Sequence, residues 1–413
     1  MVNIESSKLI GGYDSGNDKL KVSYLDKEGE IQSFDIATVI AEAPVSKVDL
    51  KSSKENSSND LELLHVRVRS DNLNSKDRDK AWYVGEYAKN LDDKVEPIVI
   101  DENGKTEDKF SQQNKKLHLI PLFTGMAIAA LRSNQTKVNV PFSGGLPIED
   151  FKNRGEEQIL NMIFGTHQVE FIDGVHEGKT VEIEISEGSI NVEGVHSILG
   201  LMFTIERGEI KDFKDMANVL GNDFTINDLG AGTTDNALFK NGVLNKTLST
   251  NTDVGTNFFI DEIIKKIRNK NEFEEVREYV KENESPYKTR EEFIQTLIMP
   301  EVEKMINDEK YKPRFNTKWG FVNNVDVTDI VMEEMKKYAD RQIKDLMSFW
   351  IKTNTEKMVV VGGGLLFGYY YLRDLKKKHA GFVFPTELKE AAYITSRSYL
   401  LANFMKQVDT IDA

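Results

Sequence analysis

The sequence predicts an α/β fold of two domains, and three observations carry this prediction. The chain has 413 residues, more than one ordinary core accommodates. A unit of strand, glycine turn and strand near residue 14 recurs near residue 228, which indicates two halves of similar construction. Segments with apolar residues at helical spacing separate the strand-like segments. We therefore expect a duplicated α/β architecture with a cleft between its halves.

The first half begins with strand-like segments joined by a Gly-Asn turn and a Lys-Glu-Gly turn. A helix is predicted over Leu117–Leu131 from its apolar spacing, and "KVNVPFSGGLPI" predicts a buried strand that ends in a glycine turn. The segment 48–80 is rich in Ser, Asn, Asp and Lys, which predicts a flexible exposed loop.

The second half begins with strands on either side of a glycine turn, followed by an Asn-Gly turn. Helices are predicted over Phe258–Ile267 and Val327–Ile351, and the highly charged segment 270–312 is also predicted to be largely helical. A short β segment ends at three glycines, and a closing helix is predicted over Thr386–Lys406. The expected limits are 1–220 with 387–413 for domain I, 221–386 for domain II, and outer subdomains at about 34–112 and about 265–325.

The composition excludes several classes of protein. With 39% hydrophobic and 30% charged residues, the chain is an ordinary soluble type, and a net charge of −14 argues against a general nucleic-acid surface. No apolar segment has the length of a membrane span, and the first residues predict no signal peptide. The absence of cysteine excludes disulfides and thiolate sites and fits a cytoplasmic location. The six histidines lack metal-site spacing, so we expect structural roles for them.

The first candidate motif is "YDSGNDKLKV", where a strand ends at an acid and a glycine follows two residues later. Gly16 permits backbone geometry in which amide groups converge on an anion. Asp14 would hold a divalent ion through water, and Lys21 would neutralise a phosphate. The alternative is a β-hairpin with a solvated turn, because Gly-Asn turns are common in hairpins.

The second candidate motif is "NDLGAGTTD", in which the strand again ends at an acid, Asp228. Its glycines free the backbone to approach a ligand, its threonines add hydroxyl donors, and Asp235 would orient a water or the metal shell. A plain hairpin turn is the alternative. Two such motifs, one in each half, would close on one nucleotide from both sides. The predicted phosphate-binding residues here are Gly230, Ala231, Gly232, Thr233 and Thr234.

The third candidate motif is "VVVGGGLLFG", in which Gly362, Gly363 and Gly364 would let the backbone lie against a nucleoside. The alternative is a simple loop between a strand and a helix. The motif lacks the G-x-G-x-x-G spacing of dinucleotide-binding folds, and no G-K-[ST] follows as in a Walker A loop.

The three motifs, in this order, resemble those of the actin superfamily, which includes actin, Hsp70 and the sugar kinases. Two details resemble the ParM branch of plasmid-segregating bacterial actins: "DSGND" followed by Lys21, and "NVPFSGGLPIEDF" with its "GLP" turn. The resemblance implies an actin-like (ribonuclease H-like) two-domain fold with a nucleotide cleft between the domains.

The resemblance also implies ATP hydrolysis with Mg²⁺, which Asp14 and Asp228 would hold through its waters. Glu193 in "SINVEGVHSILGL" matches the glutamate that orients the attacking water, although Val192 and Gly194 replace the flanking proline and serine of the family. Asp235 is the second candidate for that role, and a surface carboxylate is the alternative for Glu193. Further nucleotide contacts are assigned to Asn17, Gly255 and Leu365.

The function that the resemblance implies is an ATPase that polymerises head to tail and segregates plasmid DNA through a DNA-binding adaptor protein. It implies no direct contact with nucleic acid or membrane. A small-molecule kinase or a chaperone ATPase on the same fold is the alternative, although no substrate motif and no second β domain are evident. A membrane-anchored cell-division actin would need a basic amphipathic end, whereas "KQVDTIDA" is acidic and polar. GTP stays open beside ATP, because no base-contacting residue is matched.

Overall fold

The computed structural model describes residues 7–47, 59–97, 111, 114–146, 155–192, 197–221, 223–252, 254–281, 284–287 and 289–411. The chain forms two compact units. Unit 1 comprises Met1–Ala217 and Tyr393–Ala413, and unit 2 comprises Asn218–Ala392. The domain and subdomain limits proposed from the sequence stay predictions.

The strands of the described residues are β1 (Gly11–Ser15), β2 (Lys19–Leu25), β3 (Ile31–Ala37), β4 (Ile40–Ala43), β5 (Leu64–Ser70), β6 (Ala81–Val84), β7 (Lys137–Asn139), β8 (Phe142–Leu146), β9 (Gly165–Asp173), β10 (Thr180–Ile185), β11 (Gly188–Val192), β12 (Phe203–Glu206), β13 (Glu209–Asp212), β14 (Phe224–Leu229), β15 (Thr234–Lys240), β16 (Val243–Leu244), β17 (Thr250–Thr252), β18 (Asn316–Trp319), β19 (Val322–Asp326), β20 (Lys357–Val361) and β21 (Phe382–Val383).

The α-helices of the same residues are α1 (Glu86–Lys89), α2 (Lys115–Arg132), α3 (Glu156–Leu160), α4 (Ser197–Met202), α5 (Lys214–Leu220), α6 (Asn257–Arg268), α7 (Glu274–Glu278), α8 (Arg290–Phe293), α9 (Met299–Asn307), α10 (Thr328–Thr353), α11 (Gly363–Phe367), α12 (Tyr369–Lys378) and α13 (Ile394–Ile411). Short segments of other helix types cover Asn271–Phe273, Ile294–Ile298 and Leu388–Tyr393.

Unit 1 contains a five-stranded sheet in the order β11-β8-β1-β2-β3 and a six-stranded sheet in the order β4-β6-β5-β9-β10-β7. Helix α2 is apolar around its whole circumference, and its residues from Leu117 to Leu131 are all buried, as expected for a core helix. Helix α13 packs directly on β1, because a Cβ at Gly12 would lie 2.1 Å from Ser396 O. Gly12 at the start of β1 therefore allows a close contact between strand and helix.

Unit 2 repeats the main sheet of unit 1. Its strand order is β16-β15-β14-β20-β21, in which the β14–β15 hairpin corresponds to β1–β2 and the parallel strand β20 corresponds to β8. Helix α10 is the longest element, with 26 residues, and it ends at Asn354 in the left-handed conformation. The duplicated α/β architecture expected from the sequence is confirmed by this shared strand order.

Three expectations differ from the structure. The single buried strand predicted for "KVNVPFSGGLPI" is wrong, because β7 and β8 are separate strands in different sheets and the two glycines lie within β8 instead of in a turn. The loop predicted over 48–80 is wrong where β5 lies, because Val66 and Val68 alternate with arginines and are fully buried; residues 48–58 lie outside the described part of the chain. The closing helix begins at Ile394 rather than at Thr386, because a short 3₁₀ helix over Leu388–Tyr393 precedes it. The Ala391 carbonyl in that 3₁₀ helix accepts a hydrogen bond from Gly362 N at 3.1 Å.

Candidate functional site

The first candidate motif is a hairpin formed by β1 and β2. The antiparallel register places Asp14 opposite Lys21, and Lys21 Nζ lies 3.2 Å from Asp14 Oδ2. At the turn, Gly16 N donates a 2.9 Å hydrogen bond to Lys19 O, and a Cβ at Gly16 would lie 2.8 Å from the same oxygen. The turn therefore needs glycine because of this close approach. Asn17 lies within the turn.

The charged side chains beside this hairpin form a small network. Lys21 has Asp14 on one neighbouring strand and Asp35, its register partner on β3, on the other. Asp35 accepts a hydrogen bond from Tyr393 Oη at 3.0 Å and lies 3.3 Å from Lys19 Nζ. Lys21 is thus a partly exposed cation between two acids, and it could bind a phosphate by exchanging one of these partners.

The second candidate motif, between β14 and β15, has the same construction. Its register pairs Asp228 with Asp235. Gly230 N donates a 2.8 Å hydrogen bond to Thr233 O, and a Cβ at Gly230 would lie 2.8 Å from that oxygen. In both hairpins the acid precedes the glycine by two residues, and the glycine contacts the carbonyl three residues later. The two predicted phosphate loops are therefore two copies of one turn.

One side of the second turn is supported by the chain around Gly255. A Cβ at Gly255 would lie 2.0 Å from Ala231 O, so only glycine allows this packing. The same carbonyl accepts a hydrogen bond from Asn257 N at 3.0 Å. Gly232 is exposed, and a Cβ there would meet nothing within 4 Å. The turn is thus fixed on one side and open on the other.

The three-glycine motif packs against the same hairpin. Gly362 has a φ of 91°, and a Cβ there would lie 2.2 Å from Asp228 Oδ1. A Cβ at Gly364 would lie 2.2 Å from Tyr338 Oη, whereas Gly363 is exposed and open. Leu365 is fully buried in the core of unit 2, so its side chain is not available to a ligand. Unit 2 therefore brings the second and third motifs together around Asp228.

Two residues of helix α10 behind these loops were missed by the sequence interpretation. Tyr338 is fully buried, and its pKa is raised by burial and further by the neighbouring Asp228 carboxylate. Gln342, one helical turn later, donates to Thr234 Oγ1 at 3.1 Å and to Val254 O at 2.8 Å. Their sequence signal is a polar pair four residues apart on the apolar face of a predicted helix.

The arrangement in unit 2 fits a phosphate chain with a hydrated divalent ion. The backbone is open at Gly232 and Gly363, and the partly exposed Asp228 lies between the two loops. No group of three or more histidine, aspartate and glutamate side chains that could hold a metal occurs among the described residues. A Mg²⁺ ion bound here would keep most of its waters, as that ion usually does. Glu193 lies outside the described residues.

Comparison with known proteins identifies the family. The sequence model described as "Actin like proteins N terminal domain" matches residues 12–195. The structure of Bacillus thuringiensis ParM in apo form is similar to this chain, with 56% identity over 98% of both chains and a TM-score of 0.75. The chain belongs to the ParM family of actin-like proteins. The actin-like fold and the ParM resemblance predicted from the sequence are thereby confirmed.

Other ParM structures support the same assignment. Bacillus thuringiensis ParM with ATP is 54% identical over 97% of this chain and all of that one, with a TM-score of 0.82. The same protein with ADP is 52% identical over 97% of this chain and 99% of that one, with a TM-score of 0.81. No curated protein matches the chain. None of the helices within the described ranges has both the length and the apolarity that crossing a bilayer requires.

Proposed function

We propose that this ParM-family chain is an ATPase that assembles head to tail into nucleotide-dependent filaments and thereby segregates plasmid DNA. The observation that carries the proposal is the 54% identity, over nearly the full length of both chains, to a ParM whose structure contains ATP. This relationship favours the filament function over a small-molecule kinase, a chaperone or a cell-division ATPase on the same fold.

The proposed nucleotide contacts are of two kinds, made by charged side chains and by backbone amides. Lys21 neutralises phosphate charge, while the turns at Gly16 and Gly230 present backbone amides to phosphate oxygens. Mg²⁺, when bound, neutralises the charge of the β- and γ-phosphates. Asp14 and Asp228 would hold this ion through its waters, and the close packing of Gly362 limits the positions open to the Asp228 carboxylate.

The proposed role of Glu193 is to orient the attacking water by accepting its hydrogen bond. Asp235, the register partner of Asp228, is the secondary candidate for this role. In-line attack requires such an acceptor because water must approach the γ-phosphate opposite the leaving oxygen.

The proposed partners are further copies of the chain and a DNA-binding adaptor protein. Head-to-tail contacts form an open interface that produces filaments. A net charge of −14 disfavours direct binding to DNA, which supports an adaptor. The proposed location is the cytoplasm, beside the plasmid. ATP is the proposed nucleotide, and GTP is the competitor to test.

Sedimentation and light scattering with ATP, GTP, ADP and a non-hydrolysable ATP analogue test this function. We expect polymer with ATP and with the analogue, loss of polymer on chelation of divalent ions, and a weaker response to GTP. Asp228→Asn should require more Mg²⁺ for assembly, whereas Asp374→Asn, at an exposed position on α12, should behave like the unaltered chain. Absence of any nucleotide-dependent polymer over a wide range of salt and protein concentration would overturn the proposal.

A further inference from the structure

The Gln342 side chain joins two backbone segments from behind the second phosphate turn. It is 1% exposed and lies on helix α10. Gln342 Nε2 lies 2.8 Å from Val254 O and 3.1 Å from Thr234 Oγ1, and the Thr234 hydroxyl donates to Val254 O at 2.8 Å. These three polar atoms form a closed, buried triangle.

The chemistry of the triangle fixes the orientation of the amide. Val254 O is a carbonyl oxygen and only accepts, so the Gln342 atom at 2.8 Å from it must be the NH₂ group. The Thr234 hydroxyl then donates to the same carbonyl and accepts from the amide. Every polar contact in the triangle is thus a donor meeting an acceptor, as a buried network requires.

The two segments that Gln342 joins are those that shape the turn. Thr234 is the first residue of β15 and follows the Gly230–Thr233 turn directly. Val254 precedes Gly255, whose backbone packs on Ala231 so closely that no Cβ fits. A displacement of either segment would move the backbone amides between Gly230 and Thr233.

We propose that Gln342 is a positioning residue that holds the Gly230–Thr233 turn in the conformation that binds nucleotide phosphates. It acts through Thr234 and Val254, from the buried side of the turn, and not by contact with the nucleotide. This proposal rests on the proposed nucleotide-binding function, but its effect on the turn itself does not depend on a bound nucleotide.

Gln342→Met is the test variant, because it removes both polar atoms with little change in size. Val254 O keeps the hydrogen bond from Thr234, while the Thr234 hydroxyl loses the hydrogen bond that it accepts from the amide. Gln342→Glu is the second variant, because an ionised carboxylate would face Val254 O as a second acceptor. Thr353→Val is the matched control. Thr353 is also buried on α10, and among the described residues its hydroxyl donates to the carbonyls of Phe349 and Trp350 in its own helix.

ATP and ADP affinities are measured by calorimetric titration, and amide hydrogen exchange is followed in the nucleotide-free protein. We expect Gln342→Met to weaken ATP binding about tenfold, the size expected when one net hydrogen bond is lost. We expect Gln342→Glu to weaken it at least as much. Exchange should become faster at residues 230–234 and 254–257 in both variants, and Thr353→Val should change neither property.

The outcomes separate this proposal from the proposed function. If the unaltered chain binds ATP and both Gln342 variants bind it equally well, the positioning role is wrong. Equal weakening by Thr353→Val would also overturn it, because the effect would then reflect general destabilisation of α10. If the unaltered chain binds neither ATP nor ADP, the nucleotide function fails, while faster exchange confined to the two segments would still support the structural role of Gln342.

Discussion

The backbone of Gly362 abuts the carboxylate of Asp228, because a Cβ at position 362 would lie 2.2 Å from Asp228 Oδ1. The parallel pairing of β14 and β20, which places Asp228 beside Val361, creates this contact. A φ of 91° at Gly362 is a second reason for glycine at this position. The absence of a side chain at Gly362 thus allows the Asp228 carboxylate to occupy its position. At the exposed Gly363 the backbone of the loop is accessible.

Gly362→Ala should displace the Asp228 carboxylate and strain the loop. We expect the free energy of unfolding to fall by about 1–3 kcal/mol, the cost of a non-glycine residue in such a conformation, and the Mg²⁺ dependence of ATP binding to weaken. Denaturant titration and ATP titration at several Mg²⁺ concentrations measure the two effects. Gly363→Ala is the control for the denaturant titration, because its Cβ would meet nothing within 4 Å. An equal loss of unfolding free energy in the two variants would contradict the packing argument.

Gly16→Ala and Gly230→Ala should have similar effects, because in each hairpin the new Cβ would lie 2.8 Å from a backbone carbonyl oxygen. We expect each variant to lose roughly 1–3 kcal/mol of unfolding free energy, as overpacking against a rigid neighbour typically costs. Gly232→Ala, whose Cβ has open space, should lose much less. A tolerated alanine at position 16 or 230, seen in denaturant titrations, would show that the turn can relax.

Glu193→Ala should leave filament assembly intact while slowing ATP hydrolysis, because only the orientation of water is lost. We expect phosphate release to slow by roughly 100-fold, the usual contribution of a positioned acid or base. Phosphate release and light scattering are followed in the same sample. Glu184→Ala, an exposed position on β10, provides the comparison. Unchanged hydrolysis would remove Glu193 from the mechanism and leave Asp235 as the candidate.

His167 should make unit 1 less stable in acid. It is buried against Phe123, and its two ring nitrogens lie 2.9 Å from Ser70 Oγ and 2.8 Å from Ile163 O. Burial lowers its pKa from 6.5 to about 4, although the hydrogen bond to Ile163 O opposes the shift. The neutral ring therefore donates to Ile163 O and accepts from the Ser70 hydroxyl.

The direction in which stability changes with pH follows from the proton that His167 takes up on unfolding. Between pH 6.5 and about 4 the unfolded chain holds a proton on His167 that the folded chain does not. The contribution of His167 to the free energy of unfolding is therefore fully present above pH 6.5. It is lost as the pH falls, by up to about 3 kcal/mol at pH 4. Denaturant titrations from pH 7.5 to 4.5 measure this slope. His167→Gln should flatten it, and an unchanged slope would mean that other groups cause it.

The sequence predicts those helices and hairpins that a short, local pattern of residues determines. The two hairpins are predicted by strand-like segments on either side of an acid and a glycine turn. Helices α2 and α10 are predicted by apolar residues at helical spacing. Strand β5 was missed because its short alternation lies within a polar segment. The packing of Gly362 on Asp228 and of Gln342 on Thr234 was also missed. Both depend on tertiary pairing of distant segments, which no local pattern records.

The two copies of the turn differ in the residue opposite the acid. Asp14 faces Lys21, so the first hairpin is neutralised from within. Asp228 faces Asp235, and like charges directly opposite each other in a sheet repel. The two copies of the turn thus share a backbone but differ in charge, since an acid pairs with a base across the first hairpin and with a second acid across the second.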